Sequence, residues 1–264
     1  MYKIVIVVPC YNEEKRFQPK EFARLKDFPE INICFVDDGS IDHTGRILKH
    51  FCESNGPHQF HWIQLPKNKG KAEAVRTGLL QYIDQSQVVG YFDADLATPI
   101  SELVRLSEII QNSSDIDILL ASRIKLLGRR IDRKVYRHYL GRIFATVASF
   151  ILQAPIYDTQ CGAKFFRTGP SLSKALKMPF RSKWVFDVEL LGRLLYESAQ
   201  SKHSTLIKAV EVPLEQWREI EGSKLSLVSM LKAGLELLAL FFFFRELVRD
   251  IQLQGSRIEE KIEA

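Results

Sequence analysis

Two aspartates two residues apart, Asp93 and Asp95, follow an apolar run in the segment FDADLATP, residues 92–99. Carboxylates this close, on a turn after a buried strand, can approach one cation together. Hard cations such as Mg²⁺ or Mn²⁺ take oxygen ligands, commonly one or two carboxylates completed by substrate phosphates. A nucleoside diphosphate would supply those phosphate oxygens. Alone, an Asp-x-Asp is equally a solvated acidic turn, so its neighbours must decide.

Further polar clusters follow other apolar runs. VPCYNE (8–13) contains Pro9, which stops a strand, and Asn12 and Glu13, which can cap a following segment or hold a nucleotide. In VDDGS (36–40), Asp37 and Asp38 offer acceptors to a uracil and a ribose. NKGKA (68–72) pairs Gly70, which permits close backbone approach, with Lys69 and Lys71, which can reach a phosphate. Taken singly, each is ordinary strand-to-helix turn chemistry, which favours Asp, Asn, Gly and Ser anyway. Their recurrence at successive strand ends is harder to dismiss.

The elements that must position these clusters are legible as alternating patterns. Ile4–Val8, Ile33–Val36, His61–Leu65, Val88–Phe92 and Ile116–Ala121 read as buried strands. Thr44–Cys52 (capped by Asp42 or Thr44), Lys71–Ile83 and Ile100–Gln111 read as helices between them. This alternation predicts an α/β fold with a mainly parallel sheet flanked by helices. The clusters then lie at the C-terminal edge of the sheet, where open parallel sheets bind ligands. Farther on, Arg137–Gln153 reads as a helix, Leu206–Pro213 as a strand, and Leu225–Asp250 as one or two helices. We expect one domain over 1–224 and a C-terminal helical extension, amphipathic and suited to a membrane interface, over 225–264, with a charged, fraying tail after Gln254.

The ordered set VPCYNE, VDDGS, NKGKA and DADL resembles the family-2 glycosyltransferases, which bind nucleotide-sugars on a GT-A fold. DTQCGAK (158–164), WVFDVELL (184–191) and EIEGSKL (219–225) are similar to the dolichyl-phosphate β-glucosyltransferase and polyprenyl-phosphate glycosyltransferase branch. The resemblance implies an inverting transfer of a hexose, glucose from UDP-glucose, to a polyprenyl or dolichyl phosphate, with Mg²⁺ or Mn²⁺ as cofactor. It implies that Pro9, Tyr11, Glu13 and Asp38 hold the nucleoside, with Asp37, Lys71 and Ala94 also on the donor side. It places Asp93 at the donor and the metal, Asp95 on the metal as a catalytic residue, and Asp158 beside the acceptor and the anomeric carbon. Eukaryotic members of that branch begin with a membrane-spanning helix. Here the first strand-like run starts almost at once and no stretch reaches the ~20 apolar residues of a span, so a polyprenyl-phosphate relative is expected.

Between Arg123 and Arg142 lie Lys125, Arg129, Arg130, Arg133, Lys134, Arg137 and His138, with Asp132 the only acid. Such a run is commonly a solvated face, but a lipid phosphate needs cationic partners and Arg suits it. Arg123, Arg137 and Arg142 are the expected acceptor-phosphate ligands. Four consecutive phenylalanines, Phe241–Phe244, cover every side of a helix and cannot all enter one core. A helix lying in a membrane surface explains them, and so does a homo-oligomer contact.

Bulk properties constrain less. The 264 residues carry 37 basic and 32 acidic side chains, net +5, with 46% hydrophobic residues, as in a folded protein with a full core. That mild charge excludes no anionic partner, and nothing points to nucleic acid. Cys10, Cys34, Cys52 and Cys161 form no CxxC pair, which suits free thiols in a reducing cytoplasmic compartment at the membrane's cytoplasmic face. No GxGxxG follows a strand, which argues against a dinucleotide dehydrogenase. An aspartyl phosphatase would place its Asp pair after the first strand rather than the fourth. A transferase with a soluble sugar or glycan acceptor, and a peripheral scaffold that kept only the fold, remain the alternatives.

Overall fold

The computed structural model describes residues 1–132, 135–200, 207–220 and 232–245. A seven-stranded sheet runs in the order β3-β2-β1-β4-β7-β5-β8. Its strands are β1 (Tyr2–Cys10), β2 (Ile31–Asp37), β3 (Phe60–Gln64), β4 (Ser86–Phe92), β5 (Ile118–Ser122), β7 (Ala163–Arg167) and β8 (Ala209–Pro213). Only β7 runs antiparallel, against both β4 and β5, so the expected mainly parallel α/β sheet is what forms. β6 (Arg130–Asp132) pairs parallel with β9 (Gln216–Arg218) in a separate small sheet.

The helices are α1 (Pro19–Ala23), α2 (Thr44–Asn55), α3 (Lys71–Tyr82), α4 (Ile100–Asn112), α5 (Val135–Leu152), α6 (Pro170–Lys177) and α7 (Phe186–Gln200). A further helix, α8, covers residues 232–245. Successive residues of a strand face opposite sides of the sheet, and β1 shows the consequence. Ile4, Ile6 and Val8 join a core with Phe22, Leu48 and Leu103 beneath α1, α2 and α4. Val5 and Val7 join a second core with Val75, Leu176 and Leu191 beneath α3, α6 and α7. Central strands covered on both faces read as unbroken apolar runs, and β2 is buried at every position.

Strands β1 to β5 and helices α2 to α4 lie where the pattern put them, within a few residues. The N-cap of α2 is His43, without a side-chain cap bond, rather than Asp42 or Thr44; Asp42, just before it, accepts from the Thr44 N–H at 3.0 Å. The antiparallel β7, the small β6–β9 sheet and the helices α1, α6 and α7 were not expected. Of the Leu225–Asp250 helical segment, residues 232–245 are helical, while 221–231, with most of EIEGSKL, and 246–264, with the tail, lie outside the described residues. In α8, Leu237, Leu240 and Phe244 are buried in the second core. The Phe244 ring lies so close to Gly192 of α7 that a Cβ there would sit 2.2 Å from it. All four cysteines are buried and free.

Candidate active site

The ends of β1 and β2 are stitched together first. The Cys10 carbonyl accepts from the Asp38 N–H at 2.8 Å. The Ser40 hydroxyl oxygen accepts from the Asn12 N–H at 3.0 Å, and Asn12 Oδ1 accepts from the Ile41 N–H at 3.0 Å. The Glu13 N–H donates to Thr44 Oγ1 at 2.7 Å. Asp37 is fully buried, and its carboxylate closes its own turn by accepting the Ser40 N–H at 3.0 Å and the Ser40 hydroxyl. Asp38 reaches the other way, taking the Lys69 and Gly70 N–H groups on its two oxygens at 2.8 Å each. Burial raises its pKa, partly offset by those two amides. Three of the motifs, VPCYNE, VDDGS and NKGKA, therefore form one connected rim; Pro9, expected to stop the first strand, instead lies within β1, half-buried and paired with Val36, and the strand runs on to Cys10. Gly39 makes the sharpest approach: its φ is +63°, and a Cβ there would stand 2.4 Å from the Lys67 carbonyl carbon. Beside this rim opens a cavity of about 540 Å³ lined by Tyr11, Gly39, Ser40, Gln64, Lys67 and Asn68. Its size, aromatic wall and hydrogen-bonding rim suit a nucleoside.

Asp93 and Asp95 stand at the end of β4, with the buried Ala94 between them. The Lys71 ammonium lies 2.5 Å from Asp93 Oδ1, and the Asp93 N–H donates to the Gly162 carbonyl at 2.9 Å. Asp95 Oδ1 accepts from the Ala97 N–H at 3.0 Å. Burial first, and then the charge of Asp93, raises the Asp95 pKa. Directly after it, Leu96 takes a φ of +54°, a region that non-glycine residues occupy at a cost of about 1–3 kcal/mol and that clusters at functional sites. Among the described residues no group of three or more His, Cys, Asp and Glu side chains could hold a metal ion. An oxygen-only pair fits a Mg²⁺- or Mn²⁺-type ion that takes its other ligands from a diphosphate and water. Because Lys71 already compensates Asp93, Asp95 is the carboxylate better placed for a cation.

Gly162 explains how the DTQCG run enters the site. A Cβ on it would fall 1.9 Å from Asp93 Oδ2, so only glycine lets this turn meet the carboxylate. At the head of the same run, Asp158 forms a two-pronged pair with Arg123: Nε to Oδ2 at 2.7 Å and Nη2 to Oδ1 at 2.8 Å. The Arg123 N–H adds a third bond, at 3.0 Å. Burial alone would raise the Asp158 pKa, but the guanidinium overrides it and holds the carboxyl at about 2. Glu211 of β8 fixes the backbone here, accepting the Tyr157 N–H at 2.6 Å and the Asp158 N–H at 2.7 Å. Arg142 lies on the Tyr157 ring, 3.5 Å from its centroid, and lines a narrow cleft with Arg123 and Asp158. Arg137 belongs to α5, but its side chain lies outside the described residues, as do Arg133 and Lys134.

Sequence reasoning missed several of these groups. Trp217 lies under Arg123, 5.5 Å from the guanidinium carbon, and forms one wall of a cavity of about 600 Å³ that also touches Leu96, Ala97, Arg129, Arg130 and Arg218. Lys164 and Asp187 form a buried ion pair at 2.8 Å behind Gly162. DTQCGAK and WVFDVELL contain both residues, yet no local spacing links positions 23 residues apart.

A parallel-sheet edge carrying a nucleoside-sized cavity, a carboxylate pair and a lysine defines a nucleotide-sugar-dependent transferase of the GT-A type. Residues 5–171 match Glycosyl transferase family 2, and the chain belongs to that family of glycosyltransferases. The chain is 33% identical to the dolichyl-phosphate beta-glucosyltransferase ALG5C of Trichomonas vaginalis over 252 residues, 90% of this chain and 71% of that one. It is 31% identical to the Homo sapiens dolichyl-phosphate beta-glucosyltransferase, covering 97% of this chain and 79% of that one. Among solved structures, the Mycobacterium tuberculosis glucosyl-3-phosphoglycerate synthase, in complex with Mn²⁺, UDP and glucosyl-3-phosphoglycerate, shares the fold. Its TM-score is 0.60 at 14% identity, over 92% of this chain and 80% of that one.

Proposed function

We propose that the protein transfers glucose from UDP-glucose to the phosphate of a polyprenyl or dolichyl phosphate, with inversion, giving a β-linked lipid-phosphate sugar. The observation that carries this is the carboxylate pair of β4, set between the nucleoside-sized cavity and the Arg123–Asp158 pair. The names of its relatives support the same donor sugar and acceptor.

Asp95, with Asp93 beside it, would hold Mg²⁺ or Mn²⁺. Such an ion, when bound, neutralises the charge that develops on the leaving diphosphate. Tyr11 and the Asp38 rim orient the nucleoside, and Lys71, next to Asp93, is in reach of the donor phosphates. Arg142, together with Arg137 on the same helix, attracts the acceptor phosphate. A phosphate monoester has its second ionisation near pH 6 and arrives largely ionised at pH 7. Its oxygen attacks the anomeric carbon on the face opposite the nucleotide.

An anionic membrane surface at the cytoplasmic face is the proposed location. Tyr139, Ile143, Val147 and Phe150 of α5 lie at helical spacing and are exposed, as are Leu235, Leu238 and Phe242 of α8. The two helices meet where Phe150 stacks on Phe241, centroids 6.3 Å apart, so their apolar stripes adjoin. Lys232 and Arg245 flank the α8 stripe, as interfacial helices require. Among the described residues no helix is long and apolar enough to cross a membrane.

The deciding assay incubates the pure protein with UDP-glucose, polyprenyl phosphate and Mn²⁺ and identifies the lipid product by mass. Asp95→Ala should abolish product formation while the thermal midpoint stays near wild type. Full activity of that variant, or of the wild type in EDTA, removes the metal role.

A further inference from the structure

Lys164 is completely buried near the start of β7, a central strand. A charge in that position is costly unless it is paired and hydrogen-bonded. It is both. In the β4–β7 register Lys164 stands opposite Tyr91. Its ammonium lies 2.8 Å from Asp187 Oδ1, donates to the Cys161 carbonyl at 2.5 Å, and lies 5.2 Å from the Tyr91 ring centroid. The Tyr91 hydroxyl donates to the same Asp187 oxygen. One turn of chain therefore links the buried pair to the donor site: Cys161 is held by Lys164, and the next residue, Gly162, accepts the Asp93 N–H. Asp187 also approaches from the other side. It follows Phe186, whose ring centroid is 6.0 Å from the Lys71 ammonium, and its charge acts on Lys71 together with that of Asp93. The start of α7 is itself braced by α8. Glu236 accepts the Ser182 hydroxyl at 2.9 Å and the Trp184 N–H at 2.8 Å.

We propose that Lys164 and Asp187 are positioning residues for sugar transfer: the buried pair clamps the Cys161–Gly162 turn against Asp93 and thereby sets Asp93 and Lys71 for the donor diphosphate. This rests on Asp93 and Lys71 serving the donor, as proposed above. An apolar core would stabilise this position as well, because replacing a buried pair by apolar groups of similar volume is often neutral or stabilising. Retaining the pair is explained by the carbonyl it grips.

The test separates packing from positioning. A triple variant, Tyr91→Phe/Lys164→Met/Asp187→Leu, removes every polar group of the cluster together and should keep its thermal midpoint within a few degrees of wild type. Its kcat should fall about 100-fold, the scale of an ångström misplacement, with the KM for polyprenyl phosphate unchanged. UDP in the presence of Mn²⁺, titrated calorimetrically without acceptor, should bind at least 10-fold more weakly. Wild-type kcat and UDP affinity in a stable triple variant overturn the proposal. If that variant does not fold, the isosteric Asp187→Asn decides alone, and wild-type kcat and UDP affinity there have the same meaning. A wild-type protein that binds UDP but transfers nothing to a lipid phosphate refutes the acceptor assignment, while the UDP affinities still judge the clamp.

Discussion

Replacing Gly162 by alanine adds one methyl group at the point where the turn before β7 meets Asp93 at the end of β4. The backbone there is not in the left-handed region, so alanine meets no conformational penalty and the effect is steric. The new Cβ would stand 1.9 Å from Asp93 Oδ2 and 2.2 Å from its Cγ. A carbon–oxygen contact relaxes at about 3.3 Å, so the carboxylate must retreat by about 1.4 Å. Overpacking of this kind costs about 1–3 kcal/mol of stability. The catalytic effect should be larger, because a 1 Å misplacement costs about 100-fold in rate, or about 2.7 kcal/mol of barrier. The assay is initial-rate kinetics with UDP-glucose and polyprenyl phosphate, beside thermal melts. Gly169→Ala is the control, since nothing lies within 4 Å of a Cβ at that position. Gly162→Ala should lose about two orders of magnitude in kcat while remaining folded, and Gly169→Ala should lose none. A Gly162→Ala enzyme with wild-type kcat would falsify the claim that this turn fixes Asp93.

Asp158→Asn should show a stability deficit that depends on pH. The folded-state pKa of about 2 lies below the ordinary 3.8, so the pair contributes about 2 kcal/mol that is fully present above pH ~4 and is lost as pH falls through ~2; urea melts of wild type and variant that differ equally at pH 7 and pH 2.5 would contradict this. Gly39→Ala should weaken UDP binding at least 10-fold and lower the thermal midpoint by several degrees. Its φ of +63° disfavours alanine by about 1–2 kcal/mol, and the 2.4 Å contact is with backbone that cannot turn aside; unchanged calorimetric affinity would remove the turn from the donor site. Phe150→Asp and Phe242→Asp should each reduce co-sedimentation with anionic vesicles several-fold without affecting UDP binding, and undiminished vesicle binding by the double variant would exclude this face as the membrane contact.

The parts of the fold legible in the sequence are those whose burial is uniform. β1, β2 and β4 are covered on both faces, so their apolar runs announce them, and the polar residues that follow mark the sheet edge. β7 was illegible because its sequence, AKFFR, places a lysine at a buried central position. The reason for that lysine lies 23 residues away in Asp187. The same limit applies inside the site. Asp37 and Asp38 look interchangeable in VDDGS, yet one turns inward to Ser40 and the other crosses to Lys69 and Gly70. Arg123 is expected from the sequence as an acceptor-phosphate ligand, but its guanidinium is engaged by both oxygens of Asp158, 35 residues on, so it braces that carboxylate instead. Motif order identifies which residues assemble; the pairing among them is set by tertiary contacts that local spacing does not encode.

That pairing bears on which acceptor the enzyme takes. A sugar hydroxyl needs a base within reach, with a pKa near the working pH, to remove its proton. Asp158 lines the narrow cleft with Arg142, but with both oxygens on a guanidinium and a pKa of about 2 it is a poor proton acceptor. Both oxygens of Glu211 are engaged by backbone N–H groups, which hold it in place as a support for Asp158. Asp93 is paired with Lys71, and Asp95 is the carboxylate proposed above to hold the cation. Asp158, held by the guanidinium, is thus unsuited to taking up a proton. An acceptor that brings its own negative oxygen needs no such base, and a lipid phosphate is such an acceptor. The Arg123–Asp158 pair therefore favours phosphate over hydroxyl: with Asp158 committed to Arg123, the proton transfer that a hydroxyl acceptor would demand has no base there.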